Sequence, residues 1–333
     1  MVDGCDRPRR LGTTFSPLQC YYLGIDYQQA FSAICSLGWD VIRLCGYWFE
    51  IEPVADRYNF TVLDWLLEES QRYPVDIVLT VGMKAPRWPE YHFPDWVKQA
   101  AKTDQTSRPL DHDRTIADRT LNFTTTLLQH ARQRPNLKYW QVENEPAIRQ
   151  PITSGRWLSP EFVRQETDLV RSLSLPGQKI LLTTAIGMPF ALSPADDRAF
   201  RQSLEQADAV GINVYTKIGL GLGLYLQPSP LYWYRLQTWQ QAMAQQGREA
   251  WIAEAQAEPW ERKKLVAIDR SNYPSASPHR TQKLVSKLAH MGYETVMLWG
   301  CEYWYWQWLR GHQAWWNGVR NLLRGEPVNR RLP

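Results

Sequence analysis

Apolar residues along this chain recur with two periods that take turns. Short runs rich in β-branched and aromatic residues, LGTTFS, DVIRLC, DIVLTVG, KYWQVE, KILLTTA, DAVGINVY, AWIAE and ETVMLWG, read as strands. Between them lie segments of helical period at 27–37, 61–73, 113–133, 160–174, 194–206, 235–247, 279–291 and 312–324. Strict alternation of eight strands with eight helices implies parallel strands joined by right-handed crossovers. Without a glycine-rich dinucleotide fingerprint, eight such units predict an α/β fold closed as a (β/α)8 barrel. Ser159 before Pro160 and Glu161, and Ser193 before Pro194, are expected helix N-caps. No linker or composition break divides the chain, so residues 1–333 are expected to form a single domain.

Segments after strands are longer than segments after helices. Those at 83–112, 215–234, 255–278 and 301–311 are therefore expected as loops on the C-terminal face, where barrels of this kind build their sites. GLGLGLY, residues 219–225, lacks the third glycine of a nucleotide fingerprint and opens no helix directly, so it reads as a flexible rim of the mouth.

Composition narrows the function classes. No apolar run approaches the roughly 18 residues of a membrane span, so no membrane association is expected. The formal charge of +4 comes from bases scattered among acids, which argues against a nucleic-acid partner. The start, MVDGCDRPRRLGTTFSP, has bases but no apolar core behind them, and a cytoplasmic location is expected. The five cysteines form no CxxC pair, which favours buried thiols over disulfides or zinc. The six histidines fall in loops or helices and not at strand ends, so no metal is implied, and no cofactor either. Seventeen tryptophans beside sixteen tyrosines stand out. Flat aromatic faces suit sugar rings, although large cores use tryptophan as well.

The chemistry concentrates where strands end on acids. The fourth predicted strand runs into Glu143, Asn144 and Glu145, and the seventh ends on Glu254, with Glu258 a little further on. A buried carboxylate is costly unless paired, hydrogen-bonded or neutral. In an eight-stranded barrel these two ends face each other across the mouth, and opposed carboxyl groups suit cleavage of a glycosidic bond. Spacing alone does not choose between Glu143 and Glu145, because a strand period of two puts both on one side.

These residues, with Arg43 in VIRLCGYWFEIEP, Trp48, the Asn144-Glu145-Pro146 run, Tyr215 in GINVY and Trp299 in VMLWG, carry a resemblance. In this order the chain resembles, over nearly its whole length, the (β/α)8 retaining glycosidases with catalytic glutamates on strands four and seven, the cellulase and β-galactosidase-like clan A type. The resemblance implies Glu145 as acid/base, Glu254 as nucleophile and Asn144 as partner of the sugar 2-hydroxyl. It also implies Arg43 and Tyr215 as supports of Glu254, and Trp299 as floor of the sugar subsite. Arg43 as a structural ion-pair partner and Trp299 as plain barrel core are the bland alternatives. Trp48, Glu52, Lys84, Arg87, Trp88 and Glu302 lie on the same side as candidate contacts to sugar hydroxyls. KAPRWPEYHFP departs from relatives that place a histidine directly after strand three; here Lys84 and Arg87 precede His92. The W-x-x-IEP run resembles barrels that trim terminal β-glucosyl or β-galactosyl units, so an exo-acting retaining β-glycosidase with an oligosaccharide or β-glycoside substrate is expected. An endo-acting cellulase-like or mannanase-like enzyme, or a carbohydrate-binding barrel without turnover, are the alternatives.

Overall fold

The computed structural model describes residues 7–149, 153–189, 193–261 and 273–326. Its strands are β1 (Arg10–Thr14), β2 (Val41–Cys45), β3 (Asp76–Val81), β4 (Leu137–Val142), β5 (Lys179–Ala185), β6 (Ala209–Val214), β7 (Ile218–Gly221), β8 (Leu224–Leu226), β9 (Glu249–Gln256) and β10 (Thr295–Trp299). All but β7 and β8 close into a barrel in the order β1-β10-β9-β6-β5-β4-β3-β2. Every neighbouring pair in that ring is parallel. The eight expected strands are these eight, with ends moved by a residue or two.

Twelve α-helices lie among the described residues: α1 (Pro17–Leu23), α2 (Tyr27–Cys35), α3 (Trp48–Ile51), α4 (Thr61–Ser70), α5 (Asp95–Ala100), α6 (Arg114–Ala131), α7 (Pro160–Leu173), α8 (Pro194–Gln206), α9 (Pro230–Gln245), α10 (Pro278–His290), α11 (Cys301–Leu309) and α12 (Ala314–Leu323). Ser159 and Ser193 cap α7 and α8 as expected, each accepting from a backbone N–H three residues on. The same serine-proline start opens α9 at Ser229 and α10 at Ser277, so α9 begins five residues earlier than its apolar period suggests. No helix among the described residues is long and apolar enough to cross a membrane.

Two expected loops are ordered elements. The glycine-rich rim folds as the antiparallel hairpin β7–β8, and the supposed loop at 301–311 holds α11. That helix, CEYWYWQWL, has no polar face: seven of its nine residues are buried. Trp304 stacks between Trp39 and Trp315 and donates its indole N–H to the Ala257 carbonyl at 2.7 Å. Much of the tryptophan content is spent in this way. Trp39, Trp48, Trp140, Trp251, Trp304 and Trp315 are all fully buried, so the abundance reports core filling more than sugar platforms. Cys20, Cys35, Cys45 and Cys301 are buried free thiols, while Cys5 lies outside the described residues.

The barrel interior is filled from its N-terminal end by Val41, Val78, Tyr139, Leu181, Ala209, Trp251 and Met297. Tyr139 and Trp251 meet edge to face at 4.6 Å, and both donate to the Glu249 carboxylate. This aromatic plug closes the bottom, so the site opens only at the other end. Replacing Trp251 by alanine removes the largest piece of the plug, and a destabilisation of about 3–5 kcal/mol in denaturant titration is expected; a loss below about 1 kcal/mol would contradict this packing role.

Candidate active site

Arg43 occupies the middle of the barrel with no exposed surface. Its three donor nitrogens go to three strands: Nε to Thr14 Oγ1 of β1 at 2.9 Å, Nη1 to Gln141 Oε1 of β4 at 2.9 Å, and Nη2 to Glu254 Oε1 of β9 at 2.6 Å. The other Glu254 oxygen accepts from the Tyr215 hydroxyl at 2.6 Å. Charge-assisted bonds of this length are strong ones, and both carboxyl oxygens are engaged. Tyr215 follows β6 directly, and its ring rests on Trp260 at 4.4 Å. The loop beyond it is clamped by Gln256 at the end of β9, which accepts from the backbone of Thr216 and Lys217 and donates to the Lys217 carbonyl.

The two acids after β4 part company. The strand ends at Val142, and Glu143 and Glu145 have left-handed backbones with φ of 57° and 46°. Strand periodicity therefore does not apply to them, and the expectation that they share a side is overturned. Glu143 accepts from the backbone N–H of Met83 and of Lys84 beyond β3, at 2.8 and 2.5 Å. Gly82 allows this approach: its φ is 104°, and a Cβ there would collide with the Glu143 carboxyl. Glu166 of α7 is buried near Glu143. Burial drives both acids towards the protonated form, Glu143 to about 7 and Glu166 well above the ordinary carboxyl range.

Glu145 accepts instead from Asn213 Nδ2 of β6 at 2.7 Å. Its own backbone is fixed by Thr183 Oγ1 of β5 on the N–H and by the Lys84 ammonium on the carbonyl. Burial first, then the charges of Glu90 and Glu254, push its carboxyl up to about 8. Asn144, between the two acids, has its Oδ1 facing Gln141 and Thr183, each at 3.3 Å.

The loop after β3 brings charge to the same mouth. Lys84 is fully buried and pairs with Glu90 at 3.2 Å. Arg87 binds Glu258 at 3.2 Å and Glu302 at 2.6 Å, and its guanidinium lies 4.1 Å from the centre of the Trp299 ring. Trp299 is anchored by its indole N–H on Glu258 at 2.7 Å, and Arg43 lies 6.0 Å from its ring. Glu302 has both oxygens engaged, by the Ser16 N–H and by Arg87. It fixes Arg87 and leaves no free edge for a sugar hydroxyl. His92 is buried between Tyr47 and Phe49, with burial lowering its pKa to about 4, so it serves the loop as a neutral ring.

The structure thus gathers Arg43, Asn144, Glu145, Tyr215, Glu254 and Trp299 at one end of the barrel. Trp48 is not among them. Its ring stacks on Phe123 at 5.3 Å inside the core and its N–H binds Glu52 at 2.7 Å, so neither residue is turned to the mouth. α3 starts at Trp48 and rotates the ring inward. Trp88 is 64% exposed, a solvent-facing rim residue. Sequence reasoning passed over Asn213, Gln141 and Glu90. The first two sit at strand ends in patterns that were visible, N-x-Y before Tyr215 and Q-x-E-N-E through Glu145. No group of three or more metal-ligating side chains occurs among the described residues.

Residues 26–156 match the Glyco_hydro_42 family model, described as beta-galactosidase. That stretch includes Arg43 and Glu145 and ends before Glu254. No curated protein sequence matches the chain. Among solved structures, GH5_18 from Streptomyces cattleya in complex with GlcNAc superposes with a TM-score of 0.62 at 14% identity, over 98% of this chain and 83% of that one. A variant of GH5_18 from Bifidobacterium longum subsp. longum in complex with Manb1-4GlcNAc gives 0.61 at 15% identity, over 88% and 68%. The beta-galactosidase from the haloarchaeon Halorubrum lacusprofundi gives 0.57 at 14% identity, over 87% of this chain and 52% of its own. The chain spans about half the length of that enzyme. At such identities the superpositions speak for the fold. The chain is thus a (β/α)8 barrel that over residues 26–156 is similar to the Glyco_hydro_42 beta-galactosidase family.

The Glu143–Glu166 pair has a measurable signature. A carboxyl raised in the folded state contributes stability that is complete below its unfolded pKa and is lost as pH rises through the folded value, here about 7 for Glu143. Glu166→Gln supplies an amide donor to an ionised Glu143. Thermal unfolding between about pH 5 and pH 8 should then lose less stability with rising pH than in the parent, by roughly 1 kcal/mol or ~2–4 °C. Parallel pH profiles for the two proteins would show that the two acids do not interact.

Proposed function

We propose that this protein is a retaining β-glycoside hydrolase in which Glu254 is the nucleophile and Glu145 the acid/base, acting from the end of a chain on β-glucosides or β-galactosides. The observation that carries the reading is the unlike treatment of two carboxyl groups that feel each other's charge. Glu254 receives a guanidinium and a phenol on its two oxygens, while burial, and after it the charges of Glu90 and Glu254, drive Glu145 towards the protonated form. Opposite environments for neighbouring acids are how one site runs nucleophile and acid together.

In the first step Glu254 attacks the anomeric carbon as the bond to the departing oxygen breaks, and that oxygen takes the Glu145 proton. The anionic Glu145 then removes a proton from water, the water oxygen bonds to the anomeric carbon, and the Glu254 carboxylate leaves. Two inversions return the β configuration. Asn144, with its Oδ1 turned to Gln141 and Thr183, offers its amide N–H2 to the sugar 2-hydroxyl. Trp299 borders the same subsite with Arg87 over its ring. The exo preference draws on the beta-galactosidase match over 26–156. The disaccharide in the Bifidobacterium longum neighbour makes β-mannosides worth including among the substrates tried.

A panel of nitrophenyl β-galactoside, β-glucoside and β-mannoside tests the reading. Hydrolysis should release the β-anomer first by proton NMR, and binding of all three without turnover would mark a carbohydrate-binding barrel. The rate should fall as pH rises through about 8, where Glu145 loses the proton it must donate. Glu145→Gln should remove this alkaline limb for a dinitrophenyl glycoside, whose departure needs no proton; a limb that persists would assign the acid elsewhere.

A further inference from the structure

The loop after β3 contains an acid that this mechanism does not use. Glu90 is 9% exposed, with a left-handed backbone at φ 64°. Its position is fixed by two main-chain bonds, Ala85 N–H to the Glu90 carbonyl at 2.9 Å and Glu90 N–H to the Arg87 carbonyl at 2.8 Å, with the His92 ring Nε2 against that same Arg87 carbonyl. A non-glycine residue held in this backbone region is strained, which marks the turn as maintained by its surroundings. The carboxyl so placed pairs with Lys84, and the Lys84 ammonium in turn donates to the Glu145 carbonyl at 2.8 Å. One buried chain of contacts therefore runs Glu90, Lys84, Glu145.

We propose that the Lys84–Glu90 ion pair is a positioning device for the acid, its two opposite charges setting the upper pH at which Glu145 still holds its proton. The inference rests on Glu145 being the acid/base. Other groups face Glu145 from every side. Asn213 of β6 donates to it, Glu254 of β9 stands opposite with its charge partly met by Arg43 and Tyr215, and the Tyr232 phenol of α9 is kept neutral by burial. Glu143 is turned away towards Glu166. Of these, Glu90 is the acid whose charge weighs most on Glu145 after burial, and Lys84 is the base that opposes it. Neither touches the reacting atoms in the proposed mechanism.

Opposite charges predict opposite shifts, which a role in folding alone would not produce. The readout is the alkaline limb of kcat/KM for an unsubstituted phenyl β-glycoside, whose departure requires the proton. Glu90→Gln should move the limb to lower pH by about one unit, the size expected of one neighbouring charge at an effective dielectric near 20. Lys84→Met should move it to higher pH, and the double variant should return it close to the parent. Glu90→Gln decides the matter alone should Lys84→Met not fold. A limb unmoved by Glu90→Gln, or moved in the same direction by both substitutions, overturns the inference. Glu145→Gln separates the two levels of the argument. If it abolishes the limb with a dinitrophenyl glycoside while the ion-pair variants leave theirs in place, only the role of Lys84 and Glu90 fails. If the limb survives Glu145→Gln, the acid assignment falls and this inference with it.

Discussion

A guanidinium with no exposed surface, sitting at the centre of a barrel, has to find its acceptors on several strands at once. Arg43 does so on β1, β4 and β9, and the arrangement of the mouth follows from that requirement. A buried charge robbed of its partner costs about 3–5 kcal/mol, so Thr14, Gln141 and Glu254 are constrained by stability as well as by chemistry. Gln141, held on Arg43 through its carbonyl oxygen, turns its amide N–H2 towards the Glu143 carbonyl and Asn144. The order of the segment that ends on Glu145 is in this way tied to the same cation that holds Glu254. One interaction thus couples the two sides of the mouth.

Around this hub lies a surplus of acid. Glu90, Glu143, Glu145, Glu166, Glu254, Glu258 and Glu302 are all nine-tenths buried or more, and each is handled differently. Glu254 meets a cation and a phenol, Glu302 meets Arg87 and a backbone N–H, and Glu143 and Glu166 are driven by burial towards the protonated form. Glu145 accepts from Asn213, while burial and then the charges of Glu90 and Glu254 outweigh the opposing Lys84 and raise its carboxyl. An acid that must give up its proton near neutrality needs such poor company.

The barrel was legible because each of its strands is a compact apolar run between helices of clear period, and the loops on one face were long. α11 was hidden for the opposite reason: nine residues with almost no polar member show no period, so burial on every side looked like a loop. The hairpin β7–β8 was obscured by its glycines, which also suit an irregular rim. Within the site, Arg43, Tyr215, Glu145 and Glu254 came from motif order, and the structure brings them to one mouth. Glu143 could not be separated from Glu145 by counting, because two left-handed residues after β4 abolish the period that counting assumes. Trp48 looked like a sugar platform, yet a four-residue helix turned it into the core. Glu90 gave no signal at all, since nothing in PRWPEY reports a tight turn that bends its acid back towards Lys84.

The claim on which the rest depends is that Arg43 and Tyr215 hold Glu254 as the group that bonds to sugar. It is tested most directly by inactivating the protein with a 2-deoxy-2-fluoro-β-glycoside of whichever sugar it turns over, then locating the label by peptide mass spectrometry. The account predicts a single fluoroglycosyl ester on Glu254, formed much more slowly in Arg43→Met. A label on Glu145, Glu143 or Glu258 would contradict it.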